Sequence, residues 1–263
     1  MPMKKILAQI VSNRAVFAEL SSRDIKYKYF STIGGTLWLI LDPILFVALL
    51  WLIFSNFKSG PNTDVPFLAY LATGFCLWQL FSTILSGGTN SIKQYSFLVT
   101  KINFPIFLIP MVKVCSALII NFIFLGVIFI LLSILGITPT VKWGLALYYQ
   151  FSVSILSLGL IYITSSINIF IKDMTEIVNI VVRFGFWLTP IFWSIDRIPE
   201  KAVEILKYNP MFYIVEGFRE ALLPNYSRLE LSDHIYFWGF TISIFILGTI
   251  IFKKLKPYFA EVL

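Results

Sequence analysis

Two long uncharged runs lie in the middle of the chain. Residues 114–141 and 143–171 contain no Asp, Glu, Lys or Arg, and only Lys142 separates them. A helix needs about 20 mostly apolar residues to cross the hydrocarbon core of a bilayer. The runs lack the period-two alternation of strands and are too long for barrel strands. They therefore predict an all-α integral membrane protein.

The composition supports this class. Hydrophobic residues make up 58% of the 263 residues and charged residues only 13%, whereas a soluble domain averages about 25% charged residues. The net charge of +7 does not predict nucleic-acid binding, because the cations stand at the ends of the apolar segments, where they set membrane topology. We expect membrane lipid, and no nucleic acid, as a partner.

Six segments meet or approach the spanning length, and we expect them to form one transmembrane domain over residues 1–263. The sequence Gly136-Ile137-Thr138-Pro139 supplies a turn between the third and the fourth. The predicted spans are 34–56, 66–89, 105–135, 143–171, 175–195 and 234–252.

The charges of the connecting segments predict the orientation. Cations are in excess in the N-terminal region, in the second connection and at the C-terminus, whereas Lys58 is offset by Asp64 and Lys142 stands alone. The segment 194–233 carries seven acids and five bases. Since Lys and Arg mark cytoplasmic loops, both termini are expected in the cytoplasm, which requires an even number of spans.

Two regions depart from a plain bundle. Residues 4–22 place apolar side chains at roughly helical spacing, which predicts an amphipathic helix at the cytoplasmic interface; a solvated tail is the alternative. Residues 195–224 are too charged to span. Pro199 can open one short helix, and Asn209-Pro210 can cap a second that Pro224 stops. We expect these two helices to be re-entrant in the outer leaflet.

No catalytic or nucleotide-binding pattern is present in the sequence. It has no Walker A motif, no Gly-rich nucleotide fingerprint, no nucleophile elbow and no HExxH, and it contains a single histidine. Cys76 and Cys115 lie in apolar runs, which favours simple burial over a disulfide or metal pair. We therefore expect a permeation or scaffold role, no metal site and no catalytic residues. A membrane enzyme acting on lipid-linked sugars is the alternative.

Two charges fall inside predicted spans. Asp42, directly before Pro43, either pairs with a donor beside a break at Pro43 or lines a conduit, and the sequence favours the first. Arg183 either snorkels to the interface or faces an interior through which an anionic head group passes.

Aromatic residues make up 17% of the chain. Most aromatic side chains in spans serve packing or interfacial belts, but aromatic faces also offer sugar rings a surface to slide on. The candidates for such a conduit are Trp38, Trp51, Phe75, Trp78, Phe81, Tyr162, Phe184, Trp187 and Trp193, with Phe186 and Phe192 among the neighbouring span aromatics.

The connection between the second and third spans combines cations with an apolar centre. Lys93 and Lys101 flank Phe97, Leu98 and Val99. An exposed apolar tip on a basic loop is typical of a docking site for a protein partner; an ordinary interfacial turn is the alternative.

Three ordered motifs carry a family resemblance over essentially the whole chain. They are RDIKYKY with GGTLW and LDP, then YSFLVTKINFPIFLIP, and then WLTPIFWSIDRIPE with YNPMFYIVEGFREALL. The chain resembles the membrane subunit of bacterial polysaccharide ABC exporters, which move O-antigen, capsule or teichoic-acid polymers. Among these polymers O-antigen is favoured on overall similarity, and a permease for drugs or lipids is the alternative.

The resemblance implies a homodimer in the inner membrane that works with two copies of a separate ATP-binding subunit. ATP and Mg²⁺ would be bound by that subunit, and no cofactor by this chain. The resemblance makes 4–22 the interface helix, 92–101 a coupling helix and 197–223 the outer gating helices. It places an aromatic conduit between the protomers, and it makes Lys93, Phe97, Leu98, Val99 and Lys101 the contacts to the ATP-binding subunit. The expected access site for the head group of a lipid-linked polysaccharide comprises Arg23, Lys26, Lys28 and Arg183.

Overall fold

The computed structural model describes residues 12–29, 34–35, 37–55, 65–100 and 104–263, and these residues form helices without any strand. The all-α membrane fold predicted from the sequence is confirmed. The helices in chain order are α1 (Arg14–Tyr29), α2 (Leu37–Phe54), α3 (Phe67–Thr89), α4 (Ser91–Gln94), α5 (Ser96–Thr100), α6 (Leu108–Ile134), α7 (Leu145–Asn168), α8 (Met174–Leu188), α9 (Glu200–Lys207), α10 (Pro210–Leu222), α11 (Leu231–Leu255) and α12 (Phe259–Val262).

Five helices in the described part of the chain are long and apolar enough to cross a membrane, namely α2, α3, α6, α7 and α11. The helix in the predicted span 175–195, α8, has 15 residues and is therefore about 22 Å long, shorter than the hydrocarbon core of about 30 Å. It ends at Leu188 because Pro190 follows Thr189, and a residue before proline is driven out of the helical region. The predicted span is thus a shorter helix followed by an irregular turn.

Helices α3 and α7 form the centre of the molecule. α3 packs against α2, α6, α7, α8 and α10, and most of its side chains are buried. α7 also packs extensively against α11. The backbones of α7 and α11 meet at two glycines, because a Cβ placed on Gly248 would lie 2.4 Å from the carbonyl oxygen of Gly159. Small residues at such a crossing allow close helix packing within a membrane.

The two short helices before the last span form where the sequence places them. The side chain of Asn209 accepts a hydrogen bond from the backbone N–H of Met211 at 3.0 Å, and Pro210 occupies the first turn of α10. The two helices differ in burial: α9 has no buried residue, whereas nearly every side chain of α10 is buried against α3 and α7.

Helix α1 extends beyond the predicted limit at residue 22 and reaches Tyr29; residues 4–11 of the predicted interface helix lie outside the described residues. α1 packs on α6, and Leu20 joins a small apolar cluster with Tyr95, Leu98 and Leu108. The described part of the predicted coupling helix 92–101 consists of two short helices, α4 and α5, which meet at Tyr95; residue 101 lies outside the described residues.

Helix α2 continues through Pro43 without interruption. The expected break at this proline, with Asp42 as its structural partner, is wrong. Proline removes one helical hydrogen bond, but the apolar residues on both sides keep the segment helical in an environment without competing water. The side chain of Asp42 is exposed on this continuous helix.

Candidate substrate groove

A groove runs along α3 between α2, α6 and α8 and consists of two adjoining cavities that share Gln79, Ser82 and Val182. We name them by their linings. The polar cavity, about 720 Å³ in volume, is lined by Asp24, Ile25, Gln79, Ser82, Thr83, Ser86, Gly87, Gln94, Lys113, Ser116, Ala117, Ile120 and Val182. The aromatic cavity, about 350 Å³, is lined by Asp42, Phe46, Phe75, Trp78, Gln79, Ser82, Val182, Arg183, Phe186 and Trp187.

One face of α3 forms the floor of both cavities. Residues three and four positions apart lie on one face of a helix, and this face changes character along its length. It presents Phe75 and Trp78 toward the N-terminal part of α3 and polar side chains, Gln79 to Ser86, toward its C-terminal part. The change from aromatic to polar lining therefore follows the helix axis.

Closely packed rings form the wall of the aromatic cavity. The ring centroid of Phe46 lies 4.9 Å from that of Phe75 and 5.9 Å from that of Phe186. The rings of Trp78 and Phe186 are also 5.9 Å apart. α8 approaches α3 closely here because Gly185 has no side chain: a Cβ at this position would lie 2.9 Å from Trp78.

The two charges predicted inside spans both line the aromatic cavity. Asp42 comes from α2 and Arg183 from α8, and both side chains are exposed. Within the described part of the chain, they form no ion pair with each other and have no other hydrogen-bonding partner. A charge within a membrane segment usually faces a polar interior or a water-filled cavity, so the cavity accounts for both.

The predicted conduit aromatics divide into groups. Phe75, Trp78 and Trp187 line the aromatic cavity, and Trp38 lines an adjoining crevice that also contains Asp42, Gln79 and Thr83. The remaining candidates line neither of the two cavities. Trp51 and Phe184 are exposed and Phe81 is buried. Trp193 donates a hydrogen bond from Nε1 to the carbonyl oxygen of Trp187, and the Tyr162 hydroxyl donates one to the carbonyl oxygen of Phe107.

Sequence reasoning missed Phe46 and the polar residues of α3. The signal was present, because Gln79, Ser82, Thr83 and Ser86 have the spacing of one helical face within an otherwise apolar segment.

At the end of the bundle that carries α1, α4 and α5, Asp24 joins three elements. It forms an ion pair with Lys113 of α6 and accepts a hydrogen bond from Ser116 at 2.7 Å. It also accepts one from the Tyr95 hydroxyl at 3.5 Å. Burial, followed by the negative charge of Asp24, raises the pKa of Tyr95 to about 12, so its hydroxyl stays protonated.

The cations predicted to receive a head group lie on two different helices in the part of the chain that the structure describes. Arg23 and Lys26 are exposed on α1, with the guanidinium of Arg23 5.9 Å from the Phe97 ring centroid. Arg183 lies on α8 in the aromatic cavity. The side chain of Lys28 lies outside the described residues.

The predicted docking loop is only partly exposed. Phe97 is exposed, but Leu98 is buried in the apolar cluster around Leu20, because α5 packs against α1 and α6 through this side chain. Leu98 therefore does not belong to an exposed tip. The side chain of Val99 and the whole of Lys101 lie outside the described residues.

A series of hydrogen bonds connects the loop of α4 and α5 to α8. Lys93 donates to Oδ1 of Asn168 at 3.3 Å, and Thr175 in the first turn of α8 donates to the same oxygen at 3.2 Å. Asn168 in turn donates to the carbonyl oxygen of Thr89 at 3.1 Å. These hydrogen bonds connect α4 to the first turn of α8, the helix that forms one wall of the groove.

A buried ion pair, which the sequence did not predict, stabilises the end of the groove at the N-terminal part of α3. Arg219 and Glu216 of α10 are completely buried with a separation of 2.7 Å. Arg219 also donates to the carbonyl oxygens of Tyr70, Pro190 and Ile191 at 3.2, 2.6 and 2.8 Å. It thereby holds the turn after α8 against α3 and α10.

Tyr226 completes this network by donating to Glu216 at 2.5 Å. Burial, followed by the negative charge of Glu216, raises the pKa of Tyr226, so its hydroxyl remains a donor. Within the described residues, no group of His, Cys, Asp and Glu side chains is arranged to hold a metal ion.

Comparison with known proteins agrees with a membrane protein that takes part in transport. Residues 16–223 match the family model described as ABC-2 type transporter. The chain belongs to the ABC-2 type transporter family. It is 31% identical over 250 residues to an O-antigen export system permease protein RfbA of Klebsiella pneumoniae, with 93% of each chain covered.

Two further relatives of this ABC-2 transporter extend the comparison. An O-antigen export system permease protein RfbA of Myxococcus xanthus is 25% identical over 267 residues, covering 98% of this chain and 99% of its own. A polysialic acid transport protein KpsM of Escherichia coli is 23% identical over 242 residues, covering 88% and 90%. The family assignment makes the chain a membrane component of a transporter.

Proposed function

We propose that this chain is the transmembrane subunit of an ABC exporter that carries a lipid-linked polysaccharide, O-antigen in the first instance, across the bacterial inner membrane. The observation that carries the proposal is the groove, in which an aromatic and a polar cavity adjoin along α3. Rings attract the faces of sugars without fixing them, and the polar lining solvates their hydroxyls. The relatives named as O-antigen export permeases support the choice of polymer.

The groove is open on one side, and a second copy of the chain is the proposed cover. α2 and α8 flank the groove and bury few residues within the chain. Their exposed faces include Trp38, Leu41, Phe184 and Trp187, which supports contact with another apolar surface. The conduit would then lie between two protomers of a homodimer.

In this proposal a separate ATP-binding subunit provides the energy for transport, and two copies of it would bind ATP and Mg²⁺. The family assignment supports this division of labour, and so does the sequence, which lacks a Walker A motif. The proposed contact is the loop of α4 and α5 with Lys93, Phe97 and Lys101. Its motion would reach α8 through Asn168.

In this proposal the end with α1, α4 and α5 faces the cytoplasm, as do both termini. The excess of cations at the N-terminus, in the second connection and at the C-terminus supports this orientation. The anionic head group of the lipid carrier would approach Arg23, Lys26 and Lys28 at this surface, with Arg183 deeper in the groove.

A capsule polymer is the second candidate, because a relative is named as a polysialic acid transport protein. The two polymers differ in charge, since polysialic acid is polyanionic. The neutral lining of the polar cavity, in which Asp24 and Lys113 neutralise each other, favours the less charged polymer.

Deletion of the gene, followed by analysis of surface and cytoplasmic glycan, tests the proposal. We expect loss of one surface polysaccharide and its accumulation inside the cell, with restoration by the wild-type chain. Inactivation of the ATP-binding partner serves as the matched control and should give the same phenotype. An unchanged surface glycan after deletion would refute the proposed function.

A further inference from the structure

The Ser and Thr hydroxyl groups of the central helices differ in whether they form a hydrogen bond within the protein. Within the bundle, most buried Ser and Thr side chains donate to the carbonyl oxygen four residues earlier. Examples are Thr73, Thr89, Ser154 and Ser157, with donor–acceptor distances of 2.6 to 2.8 Å. This bonding is the usual solution for a hydroxyl on a membrane helix, because hydrocarbon offers no alternative partner.

The groove face of α3 does not follow this pattern. Among the described residues, the amide of Gln79 and the hydroxyls of Thr83 and Ser86 have no hydrogen-bonding partner. Ser82 donates to the carbonyl oxygen of Gln79 at 3.1 Å and keeps its acceptor capacity. Ser91, Ser165 and Thr241 also lack partners, but they line neither the polar nor the aromatic cavity.

These four side chains, Gln79, Ser82, Thr83 and Ser86, form what we call the polar ladder. They lie on consecutive turns of one helical face, and the ladder is about 10 Å long from Gln79 to Ser86, longer than one sugar ring. Gln79, Thr83 and Ser86 can each both donate and accept a hydrogen bond, and Ser82 can accept one. This combination matches sugar hydroxyls, which also do both.

The charges that line the polar cavity do not favour the binding of an anionic ligand there. The polar cavity contains one acid and one base, Asp24 and Lys113, and these form an ion pair with each other. No unpaired cation among its lining residues remains for a phosphate. Arg183, which is free of such a partner in the described chain, lines the aromatic cavity, which adjoins the ladder at Gln79 and Ser82. An anionic group would therefore bind at that end of the groove, whereas Thr83 and Ser86 line only the polar cavity.

We propose that the polar ladder is a binding site for the sugar hydroxyls of the transported polymer, separate from any site for its pyrophosphate or lipid. This inference rests on the proposed function and adds the residues that bind the glycan. The sugar chain exchanges hydrogen bonds with the ladder before its rings stack against Phe75 and Trp78.

The first test uses the variants Thr83→Val and Ser86→Ala in the full transporter with its ATP-binding partner. The control variants Ser154→Ala and Ser157→Ala remove hydroxyls that bond to their own helix. Loss of one hydrogen bond between neutral groups weakens binding about fivefold, so we expect a similar reduction of the export rate in each ladder variant at subsaturating polymer. Control variants should export normally.

Membrane abundance and basal ATPase activity of the complex show whether each variant is folded and assembled. Ladder variants with normal abundance and normal export would overturn the inference. If a ladder variant fails to assemble, Ser86→Cys in a chain carrying Cys115→Ser provides the second measurement. Its labelling by a water-soluble maleimide is compared in inverted membrane vesicles from polymer-producing cells and from cells that make only the lipid-linked first sugar.

Slower labelling of Ser86→Cys only in polymer-containing vesicles supports the inference, since the glycan then covers the ladder. Equal labelling in both vesicles, or protection by the lipid-linked first sugar alone, overturns it. These outcomes are distinct from failure of the proposed function, in which gene deletion itself leaves the surface glycan unchanged.

Discussion

At the scale of single residues, Arg219 shows how strongly one side chain organises the end of the groove. Its guanidinium is completely buried and lies 3.4 Å from the centroid of the Tyr70 ring. It fits only because Gly74 leaves room, since a Cβ there would lie 2.4 Å from Nη2. The carbonyl oxygens of Pro190 and Ile191, which follow α8, both accept hydrogen bonds from this one residue.

We expect Arg219→Met to destabilise the protein by about 3–5 kcal/mol, because it leaves the Glu216 carboxylate buried without its cation. The matched control is Arg228→Met, which removes an ion pair with Asp196 in which the Arg228 side chain is 29% exposed; it should cost about 0–1 kcal/mol. Thermal unfolding in detergent measures both. Equal unfolding temperatures for the two variants would contradict this role of Arg219.

At the scale of elements, the loop of α4 and α5 connects the surface of the molecule to α8 through Asn168. Charge and apolarity in the sequence indicated a docking loop, but they could not show that Leu98 turns inward. That orientation depends on Leu20, Phe104 and Leu108, which lie on other elements. The bond between Lys93 and Asn168, 75 positions apart in sequence, was equally invisible before the chain was folded.

The variants Phe97→Ala and Leu98→Ala separate docking from packing. Phe97 is exposed, so its replacement should leave the unfolding temperature unchanged while lowering ATP-driven export. Leu98 is buried, so its truncation should cost about 2–5 kcal/mol of stability. Unfolding in detergent and export with ATPase activity in the assembled transporter are the measurements. Full export by a stable Phe97→Ala variant would argue against docking at this side chain.

At the scale of the whole molecule, burial is distributed unevenly. α3 and α7 are enclosed by other helices, whereas α8 buries only Val178 and Phe186. An apolar face on the outside of a membrane protein contacts either lipid or another chain. The proposed function makes the second of these the occupant: another copy of the chain would cover the groove beside α8.

Phe184→Cys tests this arrangement, because Phe184 is 65% exposed on α8 and lines neither cavity of the groove. With a bifunctional maleimide in intact membranes, we expect a crosslinked product of twice the 30.2 kDa mass of one chain. Ile246→Cys, exposed on α11, is the control on another face and should remain monomeric on the gel. Crosslinking at Ile246 but not at Phe184 would place the dimer contact elsewhere.

The sequence by itself determined the membrane class, the approximate positions of the five long helices α2, α3, α6, α7 and α11, and the caps of α10. These follow from local properties: the length of an apolar run, the side chain of Asn209 and the fixed backbone angle of Pro210. Family resemblance could likewise be read from three ordered motifs. The continuity of α2 through Pro43 could not, because the local signal for a break was outweighed by the apolar residues around it.

Only the tertiary structure decided which side chains share a cavity. Asp42 and Arg183 are 141 positions apart and meet in the aromatic cavity because α2 and α8 pack on either side of α3. The same packing leaves the hydroxyls of the polar ladder facing an open groove, while similar hydroxyls elsewhere bond to their own helices. Hydropathy and charge are properties of a segment, whereas a groove is a property of several helices at once.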